Sequence, residues 1–179
     1  MKAADFVLSL IDAFEGHVKG RSLLQKRAYF VSVLTGVESD IGFLTHYSGP
    51  YSATVDNAVS RLKSLRLLNQ SEIAPSRFEI KRYEYRLTNE GIKAAAALKQ
   101  SQEYGAVANA CQAVVKADEL TLSIAARAHF TLKKRGQAMS SSHIAREAQR
   151  YNSTMKKASL DAAVQFISQL KLDLRSNPN

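Results

Sequence analysis

The sequence predicts an α+β fold, mainly α with a small β-wing, and three observations in residues 49–91 predict it. Gly49-Pro50 is a turn signal, and after it Val55, Ala58, Val59, Leu62 and Leu65 recur at three- and four-residue steps, which gives one apolar helix face. The fixed φ of proline suits a first helical turn, so this helix is expected to begin at about Pro50 to Ser52. Phe78 to Leu87 then largely alternates Phe78, Ile80, Tyr83, Tyr85 and Leu87 with polar residues, the period of a strand. Its partner is roughly Leu67 to Ile73, Ala74-Pro75-Ser76 supplies the hairpin tip, and a bulge at Lys81-Arg82 restores a one-residue slip of phase. Finally, Thr88 is placed to cap a helix that begins at Asn89. Helix, hairpin, helix is the working half of a winged helix-turn-helix. The expected organisation is a winged helix-turn-helix domain over 1–99 followed by a C-terminal helical region over 100–179.

The remaining elements follow in order. Ala3, Val7, Leu10, Ile11 and Phe14 share one stripe of a first amphipathic helix, whose end is bracketed by Gly16 and Gly20. Ser22-Leu23-Leu24-Gln25 has the spacing of a capping box, which predicts a second helix from about Leu23 to Thr35, closed by Gly36 in a left-handed conformation. Ile41 to Tyr47 is rich in β-formers and reads as a short strand. The alanines of 94–97 favour helix, with a break expected near Gly105. Ala106 to Ala117 and Leu120 to Lys134 are helical in period, Gly136 is a stop, and Ser140 to Ser142 cap a shorter helix over His143 to Arg150. Leu160, Ala163, Val164, Ile167, Leu170 and Leu174 form a last apolar stripe that needs a partner surface, and Ser176 to Asn179 are expected to fray.

Two runs carry a resemblance. Tyr85-x-Leu87-Thr88-x-x-Gly91 is similar to a pattern that follows the wing in many bacterial winged-helix regulators. Gly20-Arg21-Ser22-Leu23-Leu24-Gln25-Lys26-Arg27, followed by His46-Tyr47-Ser48-Gly49-Pro50-Tyr51-Ser52, resembles the YwgA-like family, in which a GR-x-x-LQK run precedes a Y-x-GPYS run. The resemblance spans most of the first hundred residues. It implies the winged fold with a small helical region after it, and no defined activity.

Composition narrows the partners. With 45% apolar residues in 179, the chain can bury a sizeable core. Its longest apolar runs fall short of the roughly 20 residues that cross a bilayer, and the acids within the first apolar pattern argue against a signal peptide, so no membrane partner is expected. One cysteine, Cys111, excludes an internal disulfide and suits a cytoplasmic location. The 25 basic and 16 acidic side chains give a formal charge of +9. That is the footprint of a nucleic-acid partner, with an acidic protein partner as the alternative. The charge is clustered: Lys19, Arg21, Lys26 and Arg27 lie in an acid-free segment, and 127–157 holds Lys133, Lys134, Arg135, Arg146, Arg150, Lys156 and Lys157 among its basic residues against Glu147 alone.

At about 100° per residue, the helix face opposite Val55 and Leu62 carries Ala53, Asn57, Ser60 and Ser64, bordered by Thr54 and Arg61 on one side and Asp56 and Lys63 on the other. Small outward residues let a helix sit deep in a major groove, and Asn and Arg can bind base edges with two hydrogen bonds. A plain solvated face is the simpler account, and Asp56 opposes phosphate. Arg77, Lys81, Arg82 and Arg86 outnumber Glu79 and Glu84 on the wing, where they suit backbone phosphates or merely protect a strand edge. For Arg21 and Arg27 a structural role competes with phosphate binding. The expected DNA-binding residues are therefore Thr54, Asn57, Ser60, Arg61, Lys63, Ser64, Arg77, Lys81 and Arg82.

No catalytic, metal or cofactor set emerges. His17, His46, His129 and His143 lack ligand spacing, Cys111 lies on an apolar stripe with Val107 and Val114, and there is no phosphate-cradling glycine loop. The expectation is a non-enzymatic transcriptional regulator that binds double-stranded DNA as a homodimer through its last stripe. The competing expectation is a protein-interaction adaptor or antitoxin-like module that keeps the winged fold without DNA.

Overall fold

The computed structural model describes residues 1–73, 82–151 and 155–173, the side chains of Arg82 and Tyr151 excepted. The order is α1 (Ala3–Ala13), β1 (His17–Lys19), α2 (Arg21–Thr35), α3 (Glu38–Ile41), β2 (Leu44–His46), β3 (Gly49–Tyr51), α4 (Ala53–Ser64), β4 (Leu68–Ile73), β5 (Arg82–Leu87), α5 (Asn89–Leu98), α6 (Gln102–Val114), α7 (Glu119–Lys134), α8 (Ser141–Tyr151) and α9 (Lys157–Gln169). The fold is mainly α with a small antiparallel sheet. Residues 1–44 with 51–115 form one compact unit, and 45–50 with 116–179 form a second.

The first unit is the winged helix-turn-helix. The apolar stripe of α1 buries Phe6, Val7, Leu10 and Ile11, and α1 packs on α4, α5 and α6. From α2 come Leu24, Ala28, Tyr29, Phe30 and Val31, all 1% exposed or less. On α4 the buried residues are Val55, Ala58, Val59 and Leu62, as the period predicts, whereas Leu65 lies past the helix end and is 55% exposed. Each fully buried aliphatic side chain stabilises by about 1.5–3 kcal/mol, so this face fixes the helix and leaves the opposite one outside.

The wing is a three-stranded sheet in the order β1-β5-β4. The β4–β5 pairing runs from Leu68 opposite Leu87 to Ile73 opposite Arg82 with no slip, and Lys81 of the expected bulge lies outside the described residues, as does the tip at 74–76. Strand β1 is absent from the sequence prediction, because three residues between two glycines are too short to show a period. It is held by pairing: His17 faces Arg86 and Lys19 faces Glu84, while Gly20 N–H donates to Tyr83 O at 2.6 Å.

Several boundaries differ from expectation for local reasons. Helix α4 starts at Ala53, and Pro50 sits in β3, because Ser52 is the N-cap and its hydroxyl accepts from Val55 N–H at 3.3 Å. Ile41 closes the short helix α3, so the strand expected over 41–47 shrinks to Leu44–His46. The capping box at Ser22 does not form: α2 begins at Arg21 after Gly20 with no side-chain cap, and Ser22 Oγ accepts from Lys26 Nζ at 2.7 Å instead. Gly36 does close α2 in the left-handed region, at φ 75°. The break expected at Gly105 falls earlier, where Ser101 caps α6 by accepting from Tyr104 N–H at 3.1 Å. Tyr104 O–H in turn donates to Asp12 at 2.5 Å and Lys99 pairs with it at 3.1 Å, so α6 packs on α1 and the compact unit runs past residue 99.

The Thr88-x-x-Gly91 run has a clear physical role. Thr88 Oγ1 accepts from Gly91 N–H at 2.9 Å and donates to Arg66 O at 2.8 Å. A Cβ on Gly91 would stand 2.0 Å from Leu67 O, so only glycine lets α5 pass this close to the strand entry.

In the second unit α7 packs against α8 and α9. Leu160, Ala163, Phe166, Ile167 and Leu170 are 8% exposed or less, with Leu122, Ala125, Leu132, Ile144 and Ala148 also buried. The last stripe thus finds its partner surface inside this chain; Val164 is half-buried and Leu174 lies outside the described residues. Glu147, 3% exposed, is held by Arg135 at 3.0 Å and Arg150 at 3.1 Å. Among the described residues no helix is long and apolar enough to cross a membrane.

Candidate nucleic-acid interface

The position of α4 is set at its first turn by a polar cluster that joins both motif runs. Gln25, on α2 and 4% exposed, donates from Nε2 to Ser52 O at 3.0 Å and accepts Ser52 N–H at 2.9 Å. Ser52 Oγ donates to Ile41 O at 2.6 Å. Every polar group that burial would otherwise leave unpaired at Ser52 is satisfied.

Asp56 stands one turn further along α4. Its carboxylate pairs with Arg21, accepts from Tyr51 O–H at 2.8 Å and from Gln25 Nε2 at 2.9 Å. Burial opposes ionisation of this carboxyl, but hydrogen bonds from Arg21, Tyr51 and Gln25 outweigh it and hold Asp56 below the usual carboxylate range. The Asp56 hydrogen bond likewise raises the Arg21 guanidinium above its ordinary value. The acid that weighs against phosphate in the sequence is therefore matched by a fixed cation.

The outward side of α4 carries the expected residues. Ala53, Asn57, Ser60, Arg61, Lys63 and Ser64 are exposed, and Thr54 is half-buried. Two are engaged within the chain: Lys63 Nζ donates to Gln70 Oε1 on β4 at 2.6 Å, and Ser64 Oγ donates to Ser60 O at 3.1 Å. On the wing, Arg77 and Lys81 lie outside the described residues, as does the side chain of Arg82, whose backbone pairs with Ile73. Arg86 is exposed and forms an ion pair with Glu84 at 3.0 Å.

Other basic residues serve the fold. The Arg27 guanidinium lies 4.0 Å from the centre of the Phe14 ring, a cation–π contact, and Lys26 is 7% exposed. In the second unit Lys134 donates to Thr45 at 3.0 Å, and Arg135 and Arg150 hold Glu147, while Arg146, Lys156 and Lys157 are exposed. Cys111 is 1% exposed and burial pushes its thiol up to about 12, the state of an inert core residue. Among the described residues no three His, Cys, Asp or Glu side chains converge to hold a metal ion.

Gln25 and Tyr51 were missing from the residues singled out for the interface. A glutamine three places after a serine reads as a local cap, and nothing in helical periodicity ties it to a backbone 27 residues away. The one signal was that both residues belong to the two runs that carry the family resemblance. No family model and no curated protein matches the chain.

Proposed function

We propose that this chain is a DNA-binding winged-helix protein, a cytoplasmic transcriptional regulator in which α4 enters the major groove and the β4–β5 wing follows the backbone. One observation carries the reading: Asp56 is neutralised by Arg21, Tyr51 and Gln25, so the exposed side of α4 offers Asn57, Ser60, Arg61 and Ser64 without an unpaired acid beside them. Asn57 and Arg61 are the base readers, since each can make paired hydrogen bonds to one base edge. Thr54, Ser60, Lys63 and Ser64 meet sugar and phosphate, and Arg77, Lys81 and Arg82 position the wing. The +9 charge supplies the affinity common to all sequences through counterion release. The YwgA-like resemblance is part of this proposal and agrees with the winged fold. Pairing of two copies draws no support from the 160–170 stripe, which is covered within one chain.

Selection of bound sequences from random duplex DNA, followed by titration of the selected duplex at several salt concentrations, tests the reading. Enrichment of a sequence and a binding constant that falls steeply with salt are expected. No binding even at low salt would overturn it and leave the protein-interaction module, with an acidic partner, as the function.

A further inference from the structure

A pocket of about 360 Å³ lies within the second unit, lined by Thr45, His46, Tyr47 and Gly49 of the β2–β3 hairpin and by Arg127, Phe130 and Thr131 of α7. Its volume is at the small end of the roughly 300–1,000 Å³ usual for small-molecule sites. The walls have two characters. The Phe130 ring and the stacked rings of His46 and Tyr47, 4.2 Å apart, are apolar surface, and Arg127 is a permanent cation. Arg127 donates to Tyr47 O, which fixes the guanidinium at the hairpin, and the hydroxyls of Thr45 and Thr131 are the uncharged polar groups. Gly49, at φ 114°, keeps the hairpin backbone close to α7, where an added Cβ would already touch Arg127 Cβ at 4.0 Å.

We infer that this pocket binds a small aromatic carboxylate, with the carboxylate on Arg127 and the ring against Phe130 and Tyr47. A bare inorganic anion would lose its hydration against these rings for one cation, and a neutral aromatic would leave the guanidinium without a counter-charge; a carboxylate on an apolar body satisfies both walls. The site is independent of the DNA-binding reading, because ligand is titrated into the protein alone.

The probe is benzoate, titrated into the isotope-labelled full chain at neutral pH with the amide resonances of Tyr47, Gly49 and Thr131 followed, and with benzamide and inorganic phosphate as parallel titrants. Saturable shifts with benzoate only are expected, and Arg127→Gln should weaken benzoate by about tenfold or more, the loss of a hydrogen bond to a charged group. Absence of saturation, shifts from benzamide equal to those from benzoate, or equal affinity for phosphate would each overturn the inference. The comparison of charged and neutral probes on the unmodified chain decides it even where Arg127→Gln fails to fold.

Discussion

Gln25 and Ser52 are joined by two hydrogen bonds, Nε2 to Ser52 O at 3.0 Å and Ser52 N–H to Oε1 at 2.9 Å, so one side chain of α2 pairs both backbone groups of the residue that caps α4. Gln25→Ala removes both partners and leaves the buried Ser52 groups unpaired, a loss of about 1–3 kcal/mol. Urea denaturation of the two proteins measures it. A loss near zero would mean that water replaces the amide and that α4 is positioned by its apolar face alone.

Reading and positioning should separate on DNA. Asn57 and Arg61 lie one turn apart on the exposed side of α4, so Asn57→Ala or Arg61→Ala should cost about 1–3 kcal/mol on a preferred duplex and relax its sequence preference. Lys81→Ala and Arg82→Ala should weaken all duplexes alike and flatten the salt slope. Affinities for preferred and scrambled duplexes at two salt concentrations distinguish them, and unchanged affinity and preference in both α4 variants would remove this helix as the reader.

Gly91→Ala should destabilise the winged unit by about 1–3 kcal/mol, the usual cost of overpacking, because the new Cβ would stand 2.0 Å from Leu67 O and backbone cannot rotate aside as a side chain can. Thermal unfolding measures it. Gly105→Ala is the control: nothing lies within 4 Å of a Cβ there, and helix propensity favours alanine, so stability should hold or rise.

Acid should unfold the protein in two separable steps. His129, 3% exposed, is pushed down to about 4 by burial, with Lys133 adding to it, so it stays neutral in the folded chain while the unfolded chain takes a proton near 6.5. Stability is therefore lost as pH falls from about 6.5 towards 4. Asp56 is held below its ordinary 3.8, so its contribution is complete above that value and is lost as pH falls through the lower folded value. Denaturation midpoints across pH, for the parent, His129→Gln and Asp56→Asn, check this: the first variant should flatten the upper window and the second the lower one. An unaltered profile in either variant would contradict the corresponding assignment.

What the sequence determined by itself was local. The α+β class, the buried face of α4, the Thr88 cap and the left-handed Gly36 were all legible, since periodicity, capping and positive φ are written within a few neighbouring residues. The surroundings of those elements were decided by tertiary structure. Gln25 abandons a local cap for a backbone 27 residues on, Asp56 is neutralised by an arginine 35 residues before it, and β1 exists only because β5 pairs with it. The last apolar stripe, too, reads the same whether a second copy or α7 covers it, and only packing assigns α7. The physical reason is common to these cases: a hydrogen bond, an ion pair or an apolar contact has no period, so its partner is fixed when burial brings distant residues together and leaves each polar group with one way to be satisfied.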